Sequence, residues 1–216
     1  MLNQRGFSGY HRLVEDLELL VAWRGGDAGA GERLFARHFD CIYRFFGRKL
    51  AGDVSDLVQR TFLRCVESRD AIRDGNSVRT YLYAIARNEL YQHFRDKQKN
   101  QQLDFSVSSL CDLGESPSSA VARRGDNALL VQALEQIPLD LQLVIELHYW
   151  EGLSGADVAT VLGIPEGTVR SRLRRALEQL RATIGTLSAN ATARWATVDS
   201  FDEWARSLRP YEAAVD

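Results

Sequence analysis

Apolar residues recur at three- and four-residue spacing along nearly the whole 216-residue chain, and runs alternating apolar with polar are missing. That period restricts the fold class to all-α before any motif is considered. It fails on a large scale only between Asn100 and Gly125, where Asp-Leu-Gly-Glu-Ser-Pro-Ser-Ser at 112–119 has the composition of a linker. The pattern therefore predicts two small helical domains joined by a flexible linker. Its divisions are an N-terminal tail (1–12), a first domain (13–99), the linker (100–125), a second domain (126–185) and a C-terminal extension (186–216).

In the first domain a helix over Glu18 to Arg24 stops at Gly25-Gly26-Asp27. Gly31 to Leu50 follows, with Leu34, Phe35, Phe39, Ile42, Phe45 and Phe46 on its apolar stripe. Asp53 is placed to cap a third helix running to Glu67, with Val54, Leu57, Val58, Phe62, Cys65 and Val66 inward. Asp74-Gly75-Asn76 marks a turn, and a fourth helix spans Val78 to Lys97. In the extension, Ser200-Phe201-Asp202-Glu203 fits a capping box opening a short helix that carries Trp204 and Leu208.

Composition narrows the function classes. The net charge of −2 gives no general basic surface, so a nucleic-acid partner requires arginines gathered on particular faces. Three cysteines, Cys41, Cys65 and Cys111, show no CxxC pair; they fit a reducing compartment and argue against a disulfide frame. His38 near Cys41 is half a metal site at best, and a surface histidine is the plainer reading. No apolar run approaches the ~20 residues of a membrane span, so the expectation is a cytoplasmic protein. No nucleophile–base set or phosphate-cradling glycine loop is evident. The expectation is a chain with no catalytic residues, no cofactor and no metal.

The second domain carries the sharper signal. Ser154 can cap a short helix holding Val158, Ala159 and Leu162; Gly163 stops it, and Pro165 opens the next. Ala159, Gly163 four residues later and Val169 six after that let two helices cross closely, the pattern of a helix-turn-helix. On the second helix Val169, Leu173, Ala176 and Leu180 share one face. At about 100° per residue, Ser171, Arg174, Arg175 and Glu178 point the opposite way, with Arg170 and Arg172 on the flanks. Arginine stays charged and can grip both acceptors of a guanine edge, so Ser171, Arg174 and Arg175 are placed to read bases in a major groove. Arg170 and Arg172 lie nearer the phosphates, and the turn amides around Thr168 can bind one.

The fourth helix of the first domain has Leu82, Ile85, Ala86, Leu90 and Phe94 inward, with Tyr81, Arg87, Asn88, Tyr91 and Arg95 opposite. Rings interleaved with guanidiniums suit unpaired bases, since the rings stack and the cations hold phosphate. Tyrosines half-buried between helices fit the same spacing. His93 falls on the inward stripe and reads as structural. On the third helix, Asp56, Gln59 and Arg60 flank an apolar stripe, which fits a solvated face or a docking surface.

Together these blocks resemble a bacterial RNA polymerase sigma factor of the extracytoplasmic-function (ECF) group of the sigma-70 family. The marks are Asp-Leu-Val-Gln-Arg-Thr-Phe-Leu at 56–63, Tyr-Leu-Tyr-Ala-Ile-Ala-Arg-Asn at 81–88, and Gly-Leu-Ser at 152–154 leading into Gly-Thr-Val-Arg-Ser-Arg-Leu at 167–173. The resemblance implies that the chain binds RNA polymerase core at its clamp and flap regions and directs it to promoter DNA. An anti-sigma factor is a candidate third partner. Asp56, Gln59 and Phe62 would dock the clamp. Arg73, Asp74, Gly75, Asn76 and Ser77 would capture a flipped base of the −10 element, with Arg87, Asn88 and Tyr91 supporting strand opening. Thr168, Arg170, Ser171, Arg172, Arg174 and Arg175 would meet the −35 element. Arg60 stands where the family usually has an acid, and Tyr81 where it often has Trp. The alternative is a stand-alone helix-turn-helix transcriptional regulator whose first domain is a sensor or dimerisation module. A third reading is a helical adaptor outside transcription.

Overall fold

The structure is a computed structural model and describes residues 4–72, 77–98, 103–114 and 126–187. Among these residues there are helices and turns and no named strand, in keeping with the period of the sequence. Two compact units emerge, one built from 1–46 with 53–93 and the other from 47–52 with 94–216. Arg73, Asp74, Gly75 and Asn76 lie outside the described residues, as does the capping box at 200–203.

The first unit is built on α1 (Gln4–Arg24), α2 (Ala28–Gly47), α3 (Ser55–Glu67), a 3₁₀ turn (Arg69–Ala71) and α4 (Val78–Lys97). α1 begins at Gln4, so residues 4–12 continue a helix where the sequence suggested a tail. No proline interrupts that stretch, and each residue added to an existing helix gains a backbone hydrogen bond. Asp27 ends the first loop by capping α2, its Oδ1 accepting from the Ala30 amide at 3.1 Å. Gly31 lets α1 and α2 approach. A Cβ there would lie 2.7 Å from the Trp23 ring, which sits edge-on to Phe35 at 5.2 Å. Asp53 acts one residue earlier than a cap at the helix start, accepting from the Ser55 amide at 2.9 Å and the Ser55 hydroxyl at 2.6 Å. Those bonds favour its charged form and hold its pKa below the ordinary value.

Leu34, Ile42, Phe45, Phe46, Leu57, Val58 and Cys65 form much of this core, as the helical stripes predicted. Burial pushes the Cys65 thiol up to about 12. Two residues of the apolar stripes lie on the surface: Val66, expected inward, is 41% exposed, and Phe39 is 47% exposed. Thr61 takes the inward place on α3, between Leu57 and Cys65 at four-residue steps, and its hydroxyl donates to the Leu57 carbonyl at 2.8 Å. Val66, about 100° further round the helix, turns out of the core. On α4, Leu82, Ile85, Ala86, Leu90 and Phe94 are buried as expected; Tyr83 is buried too, against Phe45 at 5.7 Å. His93 is half-buried.

His38 is not a surface group. It is buried, with Nε2 2.9 Å from Asp16 Oδ2, and Arg37 reaches the other Asp16 oxygen at 3.1 Å. No cluster of three metal-ligating side chains exists among the described residues. Burial pulls the His38 pKa down, but hydrogen bonds to Asp16 and Cys41 outweigh it and leave the pKa raised.

The second unit contains α5 (Asp126–Gln136), α6 (Leu139–Ile145) continuing into a π turn (Glu146–Trp150), α7 (Gly155–Leu162) and α8 (Glu166–Leu187). α5, α6 and α7 all pack on α8. Leu130, Ala133, Leu134, Ile137, Leu141 and Ile145 form the core with Ala176, Leu180 and Ile184 of α8. Each fully buried Leu or Ile contributes about 1.5–3 kcal/mol, so the apolar side of α8 anchors it firmly in the core. α8 runs to Leu187, slightly past the boundary at 185.

Residues 103–114, assigned by composition to the linker, are folded in this unit. Phe105, Leu110 and Leu113 are buried, and Ser109 pairs with Pro138 in an isolated bridge. The Ser108 carbonyl accepts from the Leu139 amide at 3.0 Å, and the Phe105 carbonyl from the Asp140 amide at 3.1 Å. The three apolar side chains are few among turn-forming residues, which gives the segment the composition of a linker, yet all three are buried. Within the same unit, Arg48 Nη1 lies 2.7 Å from Glu146 and 2.9 Å from Glu151, and Lys49 pairs with Glu146. Burial lowers the Lys49 pKa despite the attraction of Glu146.

Candidate nucleic-acid interface

The helix-turn-helix is built as its residues require. Ser154 caps α7 by accepting from the Asp157 amide at 3.1 Å. Gly163 takes the left-handed conformation, φ 66°, that a side chain would resist; the Ile164 amide then donates to the Ala159 carbonyl at 3.1 Å. The Pro165 carbonyl receives the Thr168 amide at 2.9 Å and the Val169 amide at 3.3 Å, starting α8 directly after the turn. Val169, Ala176 and Leu180 are buried, and Leu173 is half-buried.

The opposite face carries Arg170, Ser171, Arg174 and Arg175, all exposed. Arg170 and Arg174 are 82% and 80% exposed, and among the described residues each pairs with a glutamate on its own helix, at 3.4 Å and 3.9 Å. Such exposed pairs contribute about 0.3–0.5 kcal/mol and yield readily to a phosphate or base edge. Ser171 Oγ donates to the Thr168 carbonyl at 2.9 Å, which leaves its lone pairs directed outward as acceptors. Thr168 itself is half-buried. Arg172 differs from its neighbours: it is turned to Asp140 of α6, Nη1 to Oδ2 2.9 Å, in a half-buried pair.

In the first unit, Arg87 lies over the Tyr91 ring at 5.5 Å, and its buried Nε has no acceptor among the described residues. Asn88 beside it is exposed. Ser77 accepts the Tyr81 amide at 3.1 Å, and the Tyr81 hydroxyl donates to Ser68 at 2.8 Å. On α3, Asp56 and Gln59 are exposed, while Phe62 is half-buried and stacks on Phe39 at 6.3 Å. Around them Phe39, Tyr43, Leu63 and Val66 are exposed apolar residues. Arg60 is drawn inward by Glu89, which is only 2% exposed: Arg60 Nε stands 3.7 Å from one carboxylate oxygen and Arg64 Nε binds the other.

These two helical units match known families in chain order. Residues 34–100 match the family described as Sigma-70 region 2, and residues 127–180 match Sigma-70, region 4. The ECF RNA polymerase sigma factor SigL of Mycobacterium tuberculosis is 32% identical over 168 residues, spanning 74% of this chain and 92% of that protein. The chain belongs to the ECF group of RNA polymerase sigma factors. The ECF sigma factor BldN of Streptomyces coelicolor is 29% identical over 170 residues, or 76% of this chain and 64% of that protein. The fold is also that of the sigma factor RpoE of Bartonella quintana, solved with the anti-sigma factor NepR: TM-score 0.53, 23% identity, 71% of this chain and 95% of that one. Both matched segments are sigma regions, which does not favour the stand-alone regulator.

In this sigma factor the region 2 match takes in most of α2 and all of α3 and α4, and the region 4 match takes in α5 through most of α8. Residue patterns missed Glu89 and Asp140, because a carboxylate pairing with an arginine of another helix leaves no periodic trace. No described helix is long and apolar enough to cross a membrane.

Proposed function

We propose that this sigma factor recruits RNA polymerase core to two-part promoters and assists their melting. The supporting observation is the outward face of α8. Arg170, Ser171, Arg174 and Arg175 are exposed beyond a capped tight turn, on a helix whose other side is locked in the core. A helix fixed in that way can lie in a major groove with guanidiniums against guanine edges. The hydroxyl of Ser171, already donating to Thr168, would accept from a base amino group.

In the first unit, Asp56, Gln59 and Phe62 would dock the polymerase clamp, and the segment Arg73 to Ser77 would receive a flipped base of the −10 element. Arg87, Asn88 and Tyr91 would steady the opened strand, the open Nε of Arg87 suiting a phosphate oxygen. Unstacking a base costs a few kcal/mol, and capture of the extruded base offsets it. In this reading the chain acts in the cytoplasm, performs no covalent chemistry itself and requires no cofactor. An anti-sigma factor would act by covering these same faces.

Purified chain is mixed with core polymerase and a genomic promoter library, and transcript starts are mapped. Starts sharing a two-part motif are expected. A mixture that initiates nowhere beyond core polymerase alone would refute the assignment.

A further inference from the structure

We propose that Asp140 is a positioning residue for −35 reading, and that the folded segment 103–114 is part of the reader because it fixes Asp140. The inference rests on α8 being the −35 face. It assigns to residues that meet no DNA a share in the selectivity of those that do.

The connection is short and continuous. Phe105, Leu110 and Leu113 anchor the segment by burial, and Ser109 donates to the Asp112 carboxylate through its amide at 2.8 Å and its hydroxyl at 2.7 Å. The segment then receives the first turn of α6: Leu139 and Asp140 donate their amides to Ser108 and Phe105 at 3.0 and 3.1 Å. The backbone of Asp140 is thereby fixed, and its carboxylate binds Arg172 at 2.9 Å.

Arg172 lies between Ser171 and Arg174 on α8, about 100° round the axis from Ser171. The core contacts of Val169, Ala176 and Leu180 hold α8 on one side. A second tether on the flank resists rotation about the helix axis, the motion that would swing Ser171, Arg174 and Arg175 away from the base edges. The pair is suited to this work. Its side chains are 27% and 16% exposed, so it is screened by water less than the Arg170–Glu166 and Arg174–Glu178 pairs of the outer face. Arg172 is thus removed from the phosphate-contacting set and becomes a support for its neighbours.

The test uses holoenzyme assembled from the full chain and core polymerase. Its probe is the duplex that native holoenzyme enriches from a library randomised across the −35 window. Selectivity for that duplex over the unselected library is measured for Asp140→Asn, Arg172→Asp, the exchange Asp140→Arg with Arg172→Asp, and Arg174→Ala, with a melting temperature for each. Asp140→Asn should lose roughly tenfold in selectivity, the scale of one charge-assisted hydrogen bond. Arg172→Asp should lose more, and the exchange should recover most of the loss, which a merely unfolded domain would not do. Native selectivity in Asp140→Asn, or an exchange no better than Arg172→Asp, overturns the proposal. So does an equal weakening on all sequences, the mark of a phosphate contact by Arg172. If Arg174→Ala also leaves selectivity unchanged, the failure lies in reading α8 as the −35 face.

Discussion

Arg60 and Arg64 on α3 converge on a carboxylate only 2% exposed, whereas among the described residues Arg170 and Arg174 on α8 pair with exposed glutamates of their own helix, at 3.4 and 3.9 Å. The four are alike in sequence, each on an amphipathic helix beside apolar stripes. What separates them is the partner. A buried glutamate cannot find water if its arginine leaves, so the α3 pair ties α3 to α4. An exposed glutamate rehydrates at little cost, so the α8 arginines are available to DNA.

The contrast is most sharply tested on α3. Arg64→Ala leaves Glu89 buried with only Arg60 at 3.7 Å. The loss in unfolding free energy should be about 2–3 kcal/mol, discounted because Arg64 is more than half exposed. Denaturant melts would show it, while −35 selectivity stays native. Arg174→Ala should do the reverse: its ion pair is worth only about 0.3–0.5 kcal/mol to stability. Promoter binding should fall by about 1–3 kcal/mol, confined to one base position. If both variants changed stability alike, the distinction between structural and reading arginines would collapse.

Ser154→Ala gives a smaller effect, about 1 kcal/mol of stability in the second unit, through the lost cap of α7. Calorimetry of the full chain should show the change with the first unit's transition unmoved. The least effect is a pH slope from His38. Its folded pKa is raised, so its contribution is complete below the ordinary value near 6.5 and fades as pH rises through the folded value. Denaturation of the first unit at about pH 6 and pH 8 should show more stability at the lower pH. Asp16→Asn should flatten that difference.

How much could be read from the residues follows the same division. Ser154, Gly163, Pro165 and the stripe Val169, Ala176, Leu180 act through local geometry, and local geometry repeats in the sequence. The helix-turn-helix was therefore legible nearly residue by residue. Glu89 and Asp140 act across helices, where no periodicity records who meets whom. Arg172 illustrates this: its angle on the helix suggests a phosphate contact, and only the structure shows its pair with Asp140 at 2.9 Å. The folded 103–114 segment was hidden because Phe105, Leu110 and Leu113 are few and sit among turn-forming residues. Phe39 and Val66 belong to apolar stripes by spacing and lie on the surface, where they extend the apolar area around Phe62 beside the candidate docking residues.

The central claim, that the exposed face of α8 reads the −35 element for a polymerase bound through the first unit, is open to one direct measurement. Holoenzymes carrying the native chain or Arg174→Ala with Arg175→Ala transcribe a promoter library randomised in the −35 window, and product abundance is read by position. The account predicts that the native chain selects particular bases and that the double variant loses preference at one or two adjacent positions while still initiating at the same −10 sequences. Unchanged preferences, or the same proportional loss on every −35 sequence, would contradict it.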